Sequence, residues 1–406
     1  MSGDPSSPTP DELFSQEYQG RLPASFYAAE RAVAENRLGN FELFWRDHSS
    51  WLKERGYVLR ARYQLDWVPS WKDKVGYFSK FEDNLLPPGG SVLDGIRTSD
   101  GQPVIFKLKE PPAPRPDTEW LPDFEKQIIQ KFTSEPLTSD PKNHCVRLLE
   151  ILTVPDVANT ELMVLPLLFD WNYPRFTTIG EAVDFLTQIF EGLHFMHSHN
   201  VWHGDCKSNN IMMDSGPIQI SSVHPLKPSR TREFTGDARY STRTRNPVKY
   251  YWIDFDLSVE HDPTKGPPLT APGYGGNKNV PEFRFKDRMC DPFAVDVWCL
   301  GDLIRKTLTQ GSPLYPKRRG LEFLHDLLAD MTSEDPVKRP SMGDVVNRFS
   351  EIKAGLSQWK LRSRFAREGE KGWFVIFRST AHWIRQACLV LEHRPAVPSP
   401  EPPVPM

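Results

Sequence analysis

No uninterrupted run of about 18 apolar residues occurs in this 406-residue chain, so no segment reads as an integral membrane span. The nearest is Trp373–Leu391, which Arg378, His382 and Arg385 interrupt. It reads as an amphipathic helix docked on the domain, with a membrane-surface helix as the alternative. Cysteine is scarce: Cys145, Cys206, Cys290, Cys299 and Cys388 form no C-x-x-C pair and are odd in number. That excludes a disulfide framework and fits reduced thiols. There is no basic excess either. The net charge of −3 gives no global reason to expect nucleic acid or an anionic membrane as partner. The N-terminal MSGDPSSPTPDE lacks a basic n-region and an apolar h-region, so secretion is not expected. From these missing signals a cytoplasmic or nuclear location is expected. No internal repeat is visible.

Proline is plentiful, at 38 residues, and it clusters. Residues 1–25 and the Pro-rich 392–406 read as disordered tails. Pro111, Pro112, Pro114 and Pro116 predict a stiff loop between a strand and a helix. Residues 26–56 read as helical, with Phe41, Phe44, Trp45 and Trp51 as apolar contacts, and 26–79 as a helical, aromatic extension packed on the domain. Val92–Arg97 and Pro103–Lys109 are β-type runs joined through the tight-turn pair Asp100-Gly101. A helix is predicted at about 118–133, and further strands at Val146–Thr153 and Glu161–Leu168. Thr178-Ile-Gly-Glu181 predicts a capping box. Ala182, Val183, Leu186, Ile189, Phe190, Leu193 and Met196 then follow helical spacing. A strand-rich half precedes a helix-rich half. The predicted class is α+β, with a small antiparallel sheet lobe and a larger, mainly helical lobe.

Chemistry concentrates in Val201-Trp-His-Gly-Asp-Cys-Lys-Ser-Asn-Asn-Ile-Met-Met-Asp214 and in Tyr250-Tyr-Trp-Ile-Asp-Phe-Asp-Leu257. The first resembles the protein-kinase catalytic loop H-R-D-x-K-x-x-N, with Gly204 in place of arginine. The second resembles the D-F-G segment, with Asp256 in place of glycine. Phosphoryl transfer needs a carboxylate for the acceptor hydroxyl, a nearby cation and oxygen ligands for magnesium. The resemblance implies Asp205 and Lys207 as catalytic residues, and Asn210 and Asp254 as Mg2+ ligands. It makes His203 structural. Val104-Ile-Phe-Lys107 resembles V-A-I-K, which implies that Lys107 holds the ATP phosphates, with Lys109 as a fallback. Its helical partner is assigned to Glu125. Gly89, Gly90 and Gly95 are the candidates for the phosphate-covering loop, although no clean G-x-G-x-x-G is present.

Three further matches resemble the same family. They are Val280-Pro-Glu282, Asp296-Val-Trp-Cys-Leu-Gly301 and Asp335-Pro-Val-Lys-Arg-Pro340. For Asp296, Glu282 and Arg339 the implied role is structural, with Glu282 pairing Arg339. The resemblance covers about 80–353, with the small lobe at 80–168, the large lobe at 169–353 and an insert at 215–249. A helical extension at 354–391 follows. PLLFDWNYPRF and RNPVKYYWIDF are similar to a kinase-like group of mushroom-forming, basidiomycete fungi.

The implied function is an ATP- and Mg2+-dependent protein kinase, of serine/threonine type by Lys207, acting on a protein hydroxyl. The alternative is a pseudokinase scaffold. The third reading is an aminoglycoside- or choline-type phosphotransferase, towards which His203-Gly-Asp205 and Ile253-Asp-Phe-Asp256 lean. Asp256 is expected to cost on the order of 1 kcal/mol if its position needs positive φ. The insert carries Lys227, Arg230, Arg232, Arg239, Arg243, Arg245 and Lys249. It reads as a solvated basic loop, or as a docking site for an acidic or phosphorylated partner.

Overall fold

The computed structural model describes residues 32–33, 35–74, 80–87, 89–110 and 124–400. The N-terminal tail, the proline loop at 111–123 and the last six residues lie outside these. The chain divides into two compact units. One is drawn from 1–118, 147–167 and 219–239, the other from 119–146, 168–218 and 240–406. The class is α+β.

The first unit is built on an antiparallel sheet of five strands in the order β1-β2-β3-β5-β4. They are β1 (Tyr57–Leu59), β2 (Val92–Arg97), β3 (Pro103–Lys109), β4 (Glu150–Thr153) and β5 (Glu161–Pro166). The β2–β3 hairpin falls on the predicted runs, with Gly101 at φ 71° in the turn. β1 comes from the segment expected to be an extension packed on the domain, and pairs Tyr57 with Arg97 and Leu59 with Gly95. Helices α1 (Asn40–Asp47) and α2 (Ser49–Glu54) add Trp45 and Leu52 to a core shared with Tyr57, Leu59, Leu93, Val104, Phe106 and Leu162. Burying Trp45 and Leu52 alone contributes several kcal/mol. This segment therefore completes the sheet's core. A fully buried ion pair pins it: Arg62 holds Glu42 by Nε–Oε1 at 2.6 Å and Nη2–Oε2 at 2.8 Å.

The first described helix of the second unit is α3 (Glu125–Thr133), within the helix expected at about 118–133, whose first residues lie outside the described ones. Its centre is α4 (Ile179–Ser198), buried along most of its length. Thr178 caps α4 by accepting from the Glu181 N–H at 3.0 Å. The box closes one residue early, because Glu181 Oε2 accepts from Thr177 N. Its other oxygen takes the Thr244 N–H and hydroxyl, at 2.9 and 2.8 Å. Strands β6 (Ile211–Met213) and β7 (Tyr250–Trp252) pair antiparallel. The other long helices are α5 (Pro292–Ile304), α6 (Met342–Gly355) and α7 (Trp373–Leu391).

Three expectations change here. Residues 392–400 are packed rather than loose: Ala396 is buried, and its carbonyl lies where a Cβ on Gly180 would sit. The insert is not simply a solvated loop. Arg243 is buried, donating to the Trp171 carbonyl at 2.9 Å over the Phe176 ring, and Arg245 pairs with Glu392. Third, α7 docks on a mixed face: His382, Gln386 and Leu389 are buried, while Trp373, Ile376, Phe377, Ile384 and Leu391 face outward. Among the described residues, no helix is long and apolar enough to cross a membrane.

Candidate active site

Asp205 follows a short strand (Val201–Trp202) and precedes a 3-10 turn at Ser208–Asn210. Its segment hangs from one buried carboxylate on α5. Asp296 Oδ2 accepts from the His203 N–H at 2.6 Å, and Oδ1 from the Gly204 N–H at 2.9 Å and the Cys206 thiol at 3.5 Å. The Ser258 hydroxyl donates to the His203 carbonyl at 2.8 Å. His203 is fully buried. Its Nδ1 accepts from the Asp205 N–H, which leaves Nε2–H to donate to the Ile253 carbonyl at 3.1 Å. Burial holds its pKa below the ordinary value despite Asp296, Asp205 and Asp254 nearby, so the ring is a neutral strut.

Gly204 has a local reason. Its φ is 78°, and a Cβ there would stand 2.4 Å from the Leu257 carbonyl oxygen. An arginine would not fit this backbone.

Two predicted residues, Lys207 and Asn210, meet the Asp205 carboxylate. Lys207 Nζ lies 2.5 Å from Oδ2, and the Asn210 amide donates to Oδ2 at 3.1 Å and to the Asp205 carbonyl at 3.0 Å. Oδ1 accepts from the Gly276 N–H at 2.7 Å. Charge-assisted bonds on both oxygens fix the rotamer of a carboxylate that is itself only 8% exposed.

A second acidic group adjoins. Asn210 accepts from the Ile253 N–H at 3.0 Å, which ties the loop to the strand leading into Asp254. Asp254 sits at φ 66°, and Asp256 is not among the positive-φ residues, so the strain expected at Asp256 falls on Asp254 instead. Glu125, Asp254 and Asp256 bring carboxylate oxygens within 4.8 Å of one another. Glu125 is buried and accepts from the Phe255 N–H at 3.2 Å. The sequence names Asp254 as a ligand and Glu125 as a partner of Lys107, and gives Asp256 no ligand role. Its i, i+2 spacing from Asp254 was the signal.

The remaining predicted residues belong to the first unit. Lys107 lies on β3 opposite Val92 and Met163. Two of the three glycines are committed to packing. A Cβ at Gly95 would meet Phe106 at 2.6 Å, and one at Gly90 would meet Phe41 at 2.9 Å. Gly89 faces open space. In the second unit, Arg339 grips Glu282 with two bonds of 2.7 Å, the pairing that the motif order implied.

The profile of the protein kinase domain matches residues 90–340. The chain belongs to the protein kinase family. This kinase chain is 26% identical over 211 residues to the light-sensor protein kinase of Ceratodon purpureus, covering 45% of this chain and 15% of that one. It is 26% identical over 212 residues to mitogen-activated protein kinase 18 of Arabidopsis thaliana, covering 47% and 29%. Against serine/threonine-protein kinase pim-2 of Danio rerio it is 28% identical over 191 residues, covering 39% and 56%. The kinase chain thus spans well under two thirds of the length of these relatives.

Proposed function

We propose that the chain is an ATP- and Mg2+-dependent protein kinase, of serine/threonine type, that moves the γ-phosphoryl group onto a protein hydroxyl. The observation that carries this reading is the Asp205 carboxylate, bonded by Lys207, Asn210 and the Gly276 N–H. Asp205 orients the acceptor hydroxyl and takes its proton. Lys207 supplies positive charge beside it. Asp254 and Asn210 are oxygen donors of the kind magnesium accepts, and Glu125 and Asp256 add carboxylates to the same neighbourhood. Bound MgATP supplies the activated phosphoryl group and neutralises its charge. Lys107 would hold the phosphates of bound ATP. Of the glycines, Gly89 is left to approach them, since Gly90 and Gly95 pack inward. Substrates and pathway are matters for experiment.

That packing favours a second reading, a pseudokinase with weakened nucleotide binding. One experiment separates the two. Thermal unfolding is followed with and without MgATP, beside Asp254→Asn, and transfer to a generic basic protein is assayed beside Asp205→Asn. Saturation at 100 times Kd stabilises a fold by roughly 2.7 kcal/mol. A magnesium-dependent shift with labelling that Asp205→Asn abolishes supports the kinase. A shift without transfer to protein, to itself or to choline-like alcohols leaves the pseudokinase. Labelling of the alcohols alone would favour the small-molecule phosphotransferase.

A further inference from the structure

Two segments far apart in sequence meet on Ser208, the residue after Lys207. Trp171 Nε1 lies 3.1 Å from Ser208 Oγ, and the Tyr315 hydroxyl is at 3.1 Å from the same oxygen. The two rings are stacked at 10°. Each segment carries an arginine a few residues on, Arg175 and Arg318. Arg318 and the neighbour of Arg175 in sequence both pack on Phe365. The Arg318 guanidinium lies over its ring at 5.1 Å, and Phe176, next to Arg175, packs edge-on against it at 5.5 Å.

A third arginine completes the group. Arg318 faces Arg367 across an isolated antiparallel bridge. The flanking bonds run from Arg319 N to the Ala366 oxygen and from Glu368 N to the Lys317 oxygen, so Arg318 and Arg367 form a non-hydrogen-bonded pair. That is the position where facing side chains stand closest, and like charges there are unfavourable. The nearby carboxylate, Glu370, is bonded to Arg364 and to the Arg367 N–H. Arg318 is 9% exposed, and among the described residues neither it nor Arg175 has a carboxylate partner. Burial and the charges of Arg175 and Arg367 bring Arg318 down to about 10, against the opposing charge of Glu370. Burial and Arg367 lower Arg175 in the same way.

Clustered guanidiniums fit a tetrahedral dianion, each fork offering paired N–H groups. We propose that Arg175, Arg318 and Arg367 form a subsite for a phosphoryl group already present on the protein substrate. The subsite rests on the kinase reading, because the segments bearing Arg175 and Arg318 are anchored beside the loop that addresses the acceptor hydroxyl. The chain then favours hydroxyls a short stretch of peptide from an existing phosphate. A prior phosphorylation must supply its substrate.

The test uses the full chain and serine peptides in which a phosphoserine is walked along the positions either side of the acceptor. Charge-assisted bonds of this kind are worth roughly tenfold to a hundredfold. The expected result is a preference of that size in kcat/KM at one or two positions. Arg175→Gln should reduce it about tenfold, with turnover of the unphosphorylated peptide unchanged. Arg318→Lys, which keeps a cation over Phe365 while losing the fork, should reduce it as well, and thermal unfolding checks that both variants fold. Turnover without any preference, or a preference untouched by both variants, overturns the proposal. Fluorescence anisotropy of the same phosphopeptides without nucleotide keeps the subsite testable if no peptide turns over. Binding lost in Arg175→Gln then supports the subsite while the kinase reading fails, and absence of binding overturns the subsite. Sedimentation with phosphatidylserine vesicles is the last arm. Arg175-dependent vesicle binding without phosphopeptide binding would assign the arginines to a lipid surface and overturn the proposal.

Discussion

Replacing Asp296 by asparagine tests whether one buried carboxylate holds the catalytic loop. Each oxygen of Asp296 accepts from a different backbone N–H, those of His203 and Gly204, in a site 1% exposed to solvent. Asparagine keeps one acceptor and turns an N–H donor towards the other amide. One charge-assisted bond is lost, worth about 1.5–3 kcal/mol, and a donor faces a donor in a dry site. We expect a net loss of about 2 kcal/mol in the ordered loop. A penalty of that size lowers the ratio of competent to displaced geometry by about thirtyfold. Because Asp205 follows Gly204 directly, kcat should fall by up to that factor. The thermal shift with MgATP should survive, since Asp254 and Asn210 are not bonded to Asp296. Steady-state transfer and thermal unfolding, run side by side, make the measurement. An unchanged kcat refutes the reasoning. So does an equal loss of nucleotide binding, which would show general unfolding rather than a displaced loop.

Three other outcomes are expected. Glu42→Ala leaves Arg62 uncompensated in a fully buried site and should cost about 3–5 kcal/mol in urea unfolding, while Glu42→Leu combined with Arg62→Met should recover most of it; a single-variant loss under about 1 kcal/mol would contradict the buried pair. Burial pushes the Asp184 carboxyl up to about 8, against the opposing bonds from Gln188. A folded-state pKa above the unfolded one means stability is present below about pH 4 and declines as pH rises towards 8. Asp184→Asn should flatten this part of the urea-midpoint profile, and an unaltered slope would count against the assignment. Gly180→Ala places a Cβ 1.9 Å from the Ala396 carbonyl oxygen, so residues 392–400 must undock, at a cost of about 1–3 kcal/mol and with faster C-terminal proteolysis; unchanged protection would show that this contact is dispensable.

What could be read along the chain was whatever is local. The β2–β3 hairpin announces itself by alternation and Asp100-Gly101, and α4 by the Thr178 cap and its apolar spacing. Asp205, Lys207 and Asn210 lie within six residues of one another, so their spacing alone brings them together. The pairing of Glu282 with Arg339 was legible only through family motif order, because 57 residues separate them. Tertiary structure decided the rest. Residues 57–59 become a strand because β2 offers an open edge and the core needs Trp45 and Leu52, and no local propensity encodes that. Gly204 reads as a missing arginine until the Leu257 carbonyl is seen behind it. Asp256 joins Glu125 and Asp254 because a turn and a helix 130 residues away converge on the Phe255 N–H. The arginines at 175, 318 and 367 share no motif. Each is an ordinary surface residue in sequence, and only the packing of Trp171 and Tyr315 on Ser208 and the ring of Phe365 concentrates their charge.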